Sequence, residues 1–204
     1  MINIKDYTKN MSKFFDNNQS LEPWEIIDCL DEILLEKLKH LYDDYVIDGQ
    51  IAIHKSAVIE QGVTLKGTII VSENCFIGAH AYLRGPIFLS NAVTVGPGSE
   101  IKQAVILDQS TVAHFNFIGN TIVGENVNFE AGSICANHYN ERTDKTIFVK
   151  VNSQIFKTNT TKFGALVGDN SRIGANAVLS PGTILPQNSI VNRLQLVDQV
   201  DENE

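Results

Sequence analysis

The chain has 204 residues, with 16 Lys and Arg against 24 Asp and Glu, a formal net charge of −8 and a pI near 5.1. That balance, with no basic run and no aromatic platform, argues against a nucleic-acid surface. Nothing approaches the roughly eighteen consecutive apolar residues of a membrane-spanning helix, and the opening MINIKDYTKNMSKFF lacks the apolar centre of a signal peptide.

In chain order, residues 1–50 differ in texture from the rest. Ser20 is a candidate cap for a helix whose first turn holds Glu22, Pro23 and Glu25. Trp24, Ile27, Leu30, Leu34, Leu38 and Leu41 recur at spacings of three and four, which predicts an amphipathic helix from about Pro23 to Leu41. Its apolar stripe is expected to cap the open first coil of the array that follows; a partner-binding helix is the alternative.

From Ile53 an aliphatic residue returns every sixth position: Ile59, Leu65, Val71, Ile77, Leu83, Leu89, Val95, Ile101 and Leu107, with Ala113 closing the run. A period of six fits neither the helical repeat of about 3.6 nor simple strand alternation. It fits a chain coiling as a triangular prism, one short strand per face, with coils stacked at roughly 4.7–4.9 Å. One residue is dropped after Phe117, and the pattern resumes at Ile118, Val123, Phe129 and Cys135. An excursion over about 138–160 follows, carrying a hairpin around Asn152-Ser153, and loops of this length are more often functional than idle. Hexads return with Val167, Ile173, Leu179 and Leu185 and end at Val191. The expected organisation is a helical cap over 1–50, coils over 51–193 and an acidic tail over 194–204. Cys75 and Cys135 fall on inward positions and, with Cys29, form no CxxC spacing. They read as free thiols in a reducing cytoplasm.

The candidate chemistry comes from counting coils of about eighteen residues. Arg84 and Lys102 both follow an inward aliphatic residue and should sit one coil apart on one face. Like charges so placed repel by about 1 kcal/mol in water, and an anion would turn that repulsion into a clamp. Two side chains splayed into solvent are the bland alternative. Asn137 is expected in the same column. His114 lies two hexads beyond Lys102 on another face, with Asn128 near the next coil of that face. Two polar clusters on different faces would meet in a cleft if three prisms packed around a threefold axis. A homotrimer is therefore expected. His114 is the natural proton acceptor at neutral pH, although a lone histidine is more often structural. Zinc is not expected: the trimeric left-handed β-helices that act as carbonic anhydrases hold it with three histidines, the last two close in sequence, and the residues after His114 read FNFIG.

The hexads resemble those of the left-handed parallel β-helix in the hexapeptide-repeat (LpxA-like) acyltransferase superfamily. The stretch YLRGP…GPGSEIKQAVILDQSTVAHFNFIGNTIVGENVNFEAGSICANHYN is similar to the acetyltransferase domain of the bifunctional glucosamine-1-phosphate acetyltransferase/N-acetylglucosamine-1-phosphate uridylyltransferase. The resemblance spans about Leu83 to Asn140. It implies an acetyl-CoA-dependent enzyme acting on the amino group of a sugar phosphate or nucleotide sugar. Arg84 and Lys102 would contact the phosphate, His114 would deprotonate the amine, and Asn128 and Asn137 would line the sugar, with His138, where that family has a tyrosine, beside them. The pantetheine arm would run past Ala131, with Gly164 and Ala165 nearby. Phe117 and Thr143 stand where that family has a tyrosine and a lysine, and Phe163 stands where it has a serine. These losses keep a non-catalytic trimeric scaffold or sugar-nucleotide-binding module as the alternative. The 52 residues before the coils lack the glycine-rich signature of the family's nucleotidyltransferase domain, so that domain is not expected here.

Overall fold

The structure, a computed structural model, describes residues 2–14 and 21–200. It is a left-handed parallel β-helix flanked by short N-terminal helices. Three faces alternate along the chain. The first contains Ile51–His54, Ile69–Val71, the second halves of Tyr82–Leu89, Glu100–Ile106 and Phe117–Val123, then Ala165–Val167 and Thr183–Leu185. The second is a seven-stranded sheet running from Val58–Ile59 to Ile190–Val191. The third runs from Thr64–Lys66 through the first halves of the same three long strands to Ile134–Cys135, Val178–Leu179 and Leu196–Val197. The coils thus continue past Val191, where the hexads were expected to stop.

The inward column is apolar, and its members from Ile69 to Leu179 are almost all inaccessible, Cys75 and Cys135 among them. Its phase departs from the expected one in the middle of the array. Ile106 and Val112 point inward, in place of Leu107 and Ala113. Leu107 is buried outside the prism, and Ala113 stays partly exposed. The hexad therefore loses a residue twice, between Ile101 and Ile106 and between Ile118 and Val123. Both losses fall at the corner joining the third face to the first. There Gln103 (φ 48°) and Asn120 (φ 47°) adopt left-handed conformations, which turn the chain in fewer residues.

On the first face the outward residues are buried as well. Ala52, Ile70, Val105, Ile122, Leu166 and Ile184 form a second apolar layer with Trp24, Ile27, Leu30, Leu34, Ile147, Val149 and Phe163. That layer is covered by helix α1 (Met11–Phe14), helix α2 (Pro23–Asp28), helix α3 (Leu30–Leu38) and the antiparallel hairpin Phe148–Val151/Gln154–Lys157. The hairpin turns where expected, through Asn152 and Ser153 at positive φ. The helices thus lie along a flank of the prism, whereas the periodicity suggested its open end. The edge of the first coil is met instead by Tyr45–Asp48, paired antiparallel with Ile51–His54. The reason is area: strands such as Ile69–Val71 are apolar on both sides and demand a cover along the whole face.

The expected single helix is two. Its interruption at Cys29 (φ −97°, ψ 12°) comes with a contact from the coils: the Gln103 side-chain amide donates to the Ile27 carbonyl at 2.8 Å, taking an acceptor the helix would otherwise use. Glu22 is the N-cap of α2, its N–H donating to Glu25 Oε2 at 2.8 Å. Ser20 lies outside the described residues.

Candidate functional site

With the first face sealed, the second and third faces and the corner between them remain open. The strongly exposed apolar side chains of the coils, Val58, Phe115, Ile190, Leu194 and Leu196, all lie there.

On the third face, Arg84 and Lys102 are direct ladder partners, as their spacing required. The column is longer than two residues. Lys66 pairs with Arg84 one coil earlier, and Gly119 follows Lys102 one coil later. Glu100 partly neutralises the column: its carboxylate accepts from Arg84 Nε at 3.0 Å and also from Nη2. The Tyr82 ring sits 5.2 Å from the Lys66 ammonium and 5.8 Å from the Arg84 guanidinium, within cation–π range of both. Burial pulls the Lys102 ammonium below its usual range, with the charges of Lys162 and Arg84 adding to the shift and Glu100 opposing it. Lys162 comes from the far end of the excursion. Two residues on, the Gly164 N–H donates to the Asn120 carbonyl at 2.9 Å, beside the Lys102 strand.

Asn137 is not in the Arg84–Lys102 column. Because the coils here lose a second residue, the column passes from Lys102 through Gly119 toward Ala136, and Asn137 falls one place further on. It is buried, donating to Asn120 Oδ1 at 2.6 Å, and its own carbonyl oxygen lies 3.1 Å from His138 Nδ1. A Cβ at Gly119 would meet Phe117 at 2.7 Å and Asn137 at 2.9 Å, so those two side chains close the column below Lys102.

His114 lies at the corner between the second and third faces, exposed, next to the strand Thr111–Val112. Gly96 makes room for it: a Cβ there would fall 3.2 Å from His114 Nδ1 and 1.5 Å from the Ala113 carbonyl. Ala131 and Ala175 stack after His114 along the same corner, linked by Gly132 N–H to His114 O at 2.8 Å and Asn176 N–H to Ala131 O at 3.0 Å. Gly164 and Ala165, expected beside Ala131, are elsewhere. Gly164 packs on the Gly119 carbonyl at the opposite corner, and Ala165 is a core residue with its side chain inside the prism. Neither offers a side-chain surface to a cofactor.

Asn128 faces outward on the second face between Thr111 and Arg172. It lines a shallow groove of about 430 Å³ with Asn126, Asn170, Arg172, Asn188 and Ile190. Polar groups therefore lie on adjoining faces: Lys66, Arg84, Lys102, Lys162 and Asn137–His138 on the third, Asn128 on the second, and His114 at the corner between them. Among the described residues no group of three or more His, Cys, Asp or Glu is arranged to hold a metal. The three cysteines are free. No described helix is long and apolar enough to cross a membrane.

Reading by residue type missed Lys66, Glu100 and Lys162. Lys66 was legible, being one coil of eighteen before Arg84. Lys162 was not, since the path of the excursion had to be known first.

A sequence profile of the GMPPB C-terminal domain matches residues 47–139 and again 68–200. A bifunctional sugar-1-phosphate nucleotidylyltransferase/acetyltransferase from Sulfurisphaera tokodaii is 30% identical over 167 residues, covering 79% of this chain and 41% of that one. The bifunctional protein GlmU of Methanococcus vannielii is 30% identical over 167 residues, covering 73% of this chain and 40% of that one. The chain thus spans about two fifths of the length of these relatives. The crystal structure of PerB from Caulobacter crescentus in complex with CoA and GDP-perosamine aligns over 85% of this chain and 70% of that one. Its identity is 15% and its TM-score 0.31, too distant a superposition to add to the coil geometry above. The profile covers most of the coils on both matches, and the chain belongs to the GMPPB C-terminal domain family, as a hexapeptide-repeat β-helix resembling the acetyltransferase region of GlmU.

Proposed function

We propose that the protein is an acyl-CoA-dependent acyltransferase, with acetyl-CoA as donor and the amino group of a sugar phosphate or nucleotide sugar as acceptor. The observation that carries this reading is the pairing of an exposed histidine at one corner with a column of cations on the adjoining face. The Sulfurisphaera tokodaii relative, named for acetyl transfer, supports it. His114 accepts the proton as the amine nitrogen attacks the thioester carbonyl, a task suited to imidazole near neutral pH. Arg84 and Lys102 hold the acceptor's phosphate, which orients the amine and raises its effective concentration. The donor supplies the activated acyl carbon. Its pantetheine arm fits the strip of Ala131 and Ala175 that continues from His114, where two successive coils present small side chains.

The working unit is a homotrimer in this reading. With the first face covered, each prism has two open faces, and a threefold ring brings the second face of one against the third face of the next. His114 of one copy then faces the cation column of another. The free thiols suit a reducing cytoplasm.

A non-catalytic trimeric scaffold or sugar-nucleotide-binding module is the competing reading. It is favoured by Glu100, which already occupies Arg84, and by Phe117, which offers the site no hydroxyl. The deciding experiment is CoA release from acetyl-CoA, followed by thiol titration, with glucosamine-1-phosphate, other amino-sugar phosphates and UDP- or dTDP-amino sugars as acceptors. Turnover with any acceptor that is lost in His114→Ala establishes the enzyme. Silence across the panel, with CoA failing to raise the melting temperature, leaves the scaffold.

A further inference from the structure

The third face carries more positive charge than one phosphate needs. Lys66, Arg84 and Lys102 stand on three successive strands, each the ladder partner of the next. Adjacent strands are about 4.8 Å apart, so the column reaches across about 10 Å. Lys162 joins its lower end from the foot of the excursion, where the Gly164 N–H docks on the Asn120 carbonyl. Lys66 and Lys162 are both exposed, and Glu100 is the carboxylate set among the four cations, on the Arg84 side. The column is closed below Lys102 by Phe117 and Asn137 and open toward Lys66. Along the column, a bound group extends toward Lys66. The cations therefore fall into two pairs, Lys66 with Arg84 above and Lys102 with Lys162 below.

We propose that these two pairs form a site for a diphosphate group, with one phosphoryl held by Lys66 and Arg84 and the next by Lys102 and Lys162. The inference rests on the reading of this face as the anion-binding face and narrows it: the ligand carries two linked phosphates, where a sugar-1-phosphate carries one. Lys102 has its proton affinity lowered first by burial and then by the charges of Lys162 and Arg84, and a dianionic ligand relieves the second of these. A diphosphate could enter as part of a nucleotide-linked acceptor or as the diphosphate of CoA, and the two sources are separable by competition.

The test is calorimetric titration of the full chain with inorganic orthophosphate and pyrophosphate at about 0.15 M ionic strength, where loose surface attraction is screened. Pyrophosphate should bind at least roughly tenfold tighter than orthophosphate, the factor that about 1.4 kcal/mol of added contact gives. Lys66→Ala and Lys162→Ala should each remove most of that advantage while leaving orthophosphate affinity nearly unchanged, because each variant keeps one intact pair. Both side chains are exposed, so circular dichroism should show folded variants. Equal affinity for the two anions, or an advantage that survives both substitutions, overturns the proposal. UDP displacing bound pyrophosphate assigns the site to a nucleotide-linked acceptor, and CoA displacing it assigns the site to the donor. Displacement by neither means an adventitious ion only and also overturns it. The transfer assay is independent: no turnover with any acceptor defeats the enzymatic reading and leaves the anion result intact.

Discussion

Ile122→Ala separates the two kinds of outward position on this prism. By hexad phase Ile122 points away from the core, as a surface residue would, yet it is fully inaccessible beneath the N-terminal helices. Four residues earlier Ile118 points inward and is equally inaccessible. Burying an isoleucine side chain is worth about 1.5–3 kcal/mol, and the cavity left by truncation raises the cost to about 2–5 kcal/mol. Ile122→Ala and Ile118→Ala should therefore lose similar amounts, each lowering the melting temperature by about 4–20 °C for a chain of this size. Urea unfolding followed by circular dichroism, with midpoint and slope both fitted, measures this directly. If Ile122→Ala costs under about 0.5 kcal/mol, as an ordinary surface substitution does, the helices do not seal the first face.

His114→Ala should lower turnover by about 10²–10⁴-fold, the usual contribution of a general base, with an unchanged urea midpoint because the ring is exposed; a shifted midpoint would mark the residue as structural. Lys102→Gln should raise the melting temperature of the ligand-free protein at pH 7. Burial and like charges lower the folded-state proton affinity of Lys102, so its charge opposes folding below the folded pKa, and the gap to the variant should close as pH rises toward the unfolded value near 10. A variant less stable than the parent at pH 7 would contradict that sign. Burial pushes the Cys75 thiol up to about 11 and the Cys135 thiol up to about 12. A disulfide reagent at pH 8 should thus modify at most Cys29 in the native protein and all three in urea; rapid loss of two native thiols would show that the coils open.

Much of this molecule was legible as text. The run from Ile53 to Ile101 sets the prism and its phase, and it stacks Arg84 on Lys102. The phase was lost where the coil shortens, because the left-handed turns at Gln103 and Asn120 carry no glycine to announce them. That slip is what put Asn137 in the wrong column. The apolar triplets Ile69-Ile70-Val71 and Ala104-Val105-Ile106 did announce a face covered on both sides, but a search for one inward residue per hexad passes over its neighbour. The helix break at Cys29 was beyond local reading, since the contact that comes with it is made by Gln103, more than seventy residues away. The same holds for Lys162, whose place depends on where a long excursion lands. Gly164 and Ala165 failed for a simpler reason: small residues line a groove only when they face it, and Ala165 faces the core.

The cover on the first face also changes how such a chain should come apart. A bare solenoid has contacts only between neighbouring coils, so its ends fray and its coils melt as a series. Here one apolar layer joins Ala52 near the first coil to Ile184 near the last, through residues of the helices and the hairpin. The N-terminal arm adds a tie, the Tyr7 carbonyl accepting from the Asp169 N–H at 2.9 Å and Asp169 Oδ2 from the Lys9 N–H at 3.0 Å. No coil on this face can open without disturbing packing shared with coils far from it. An architecture that is one-dimensional in sequence is thereby bound into a single cooperative unit, and its amide protons should exchange together on that flank and coil by coil on the other two.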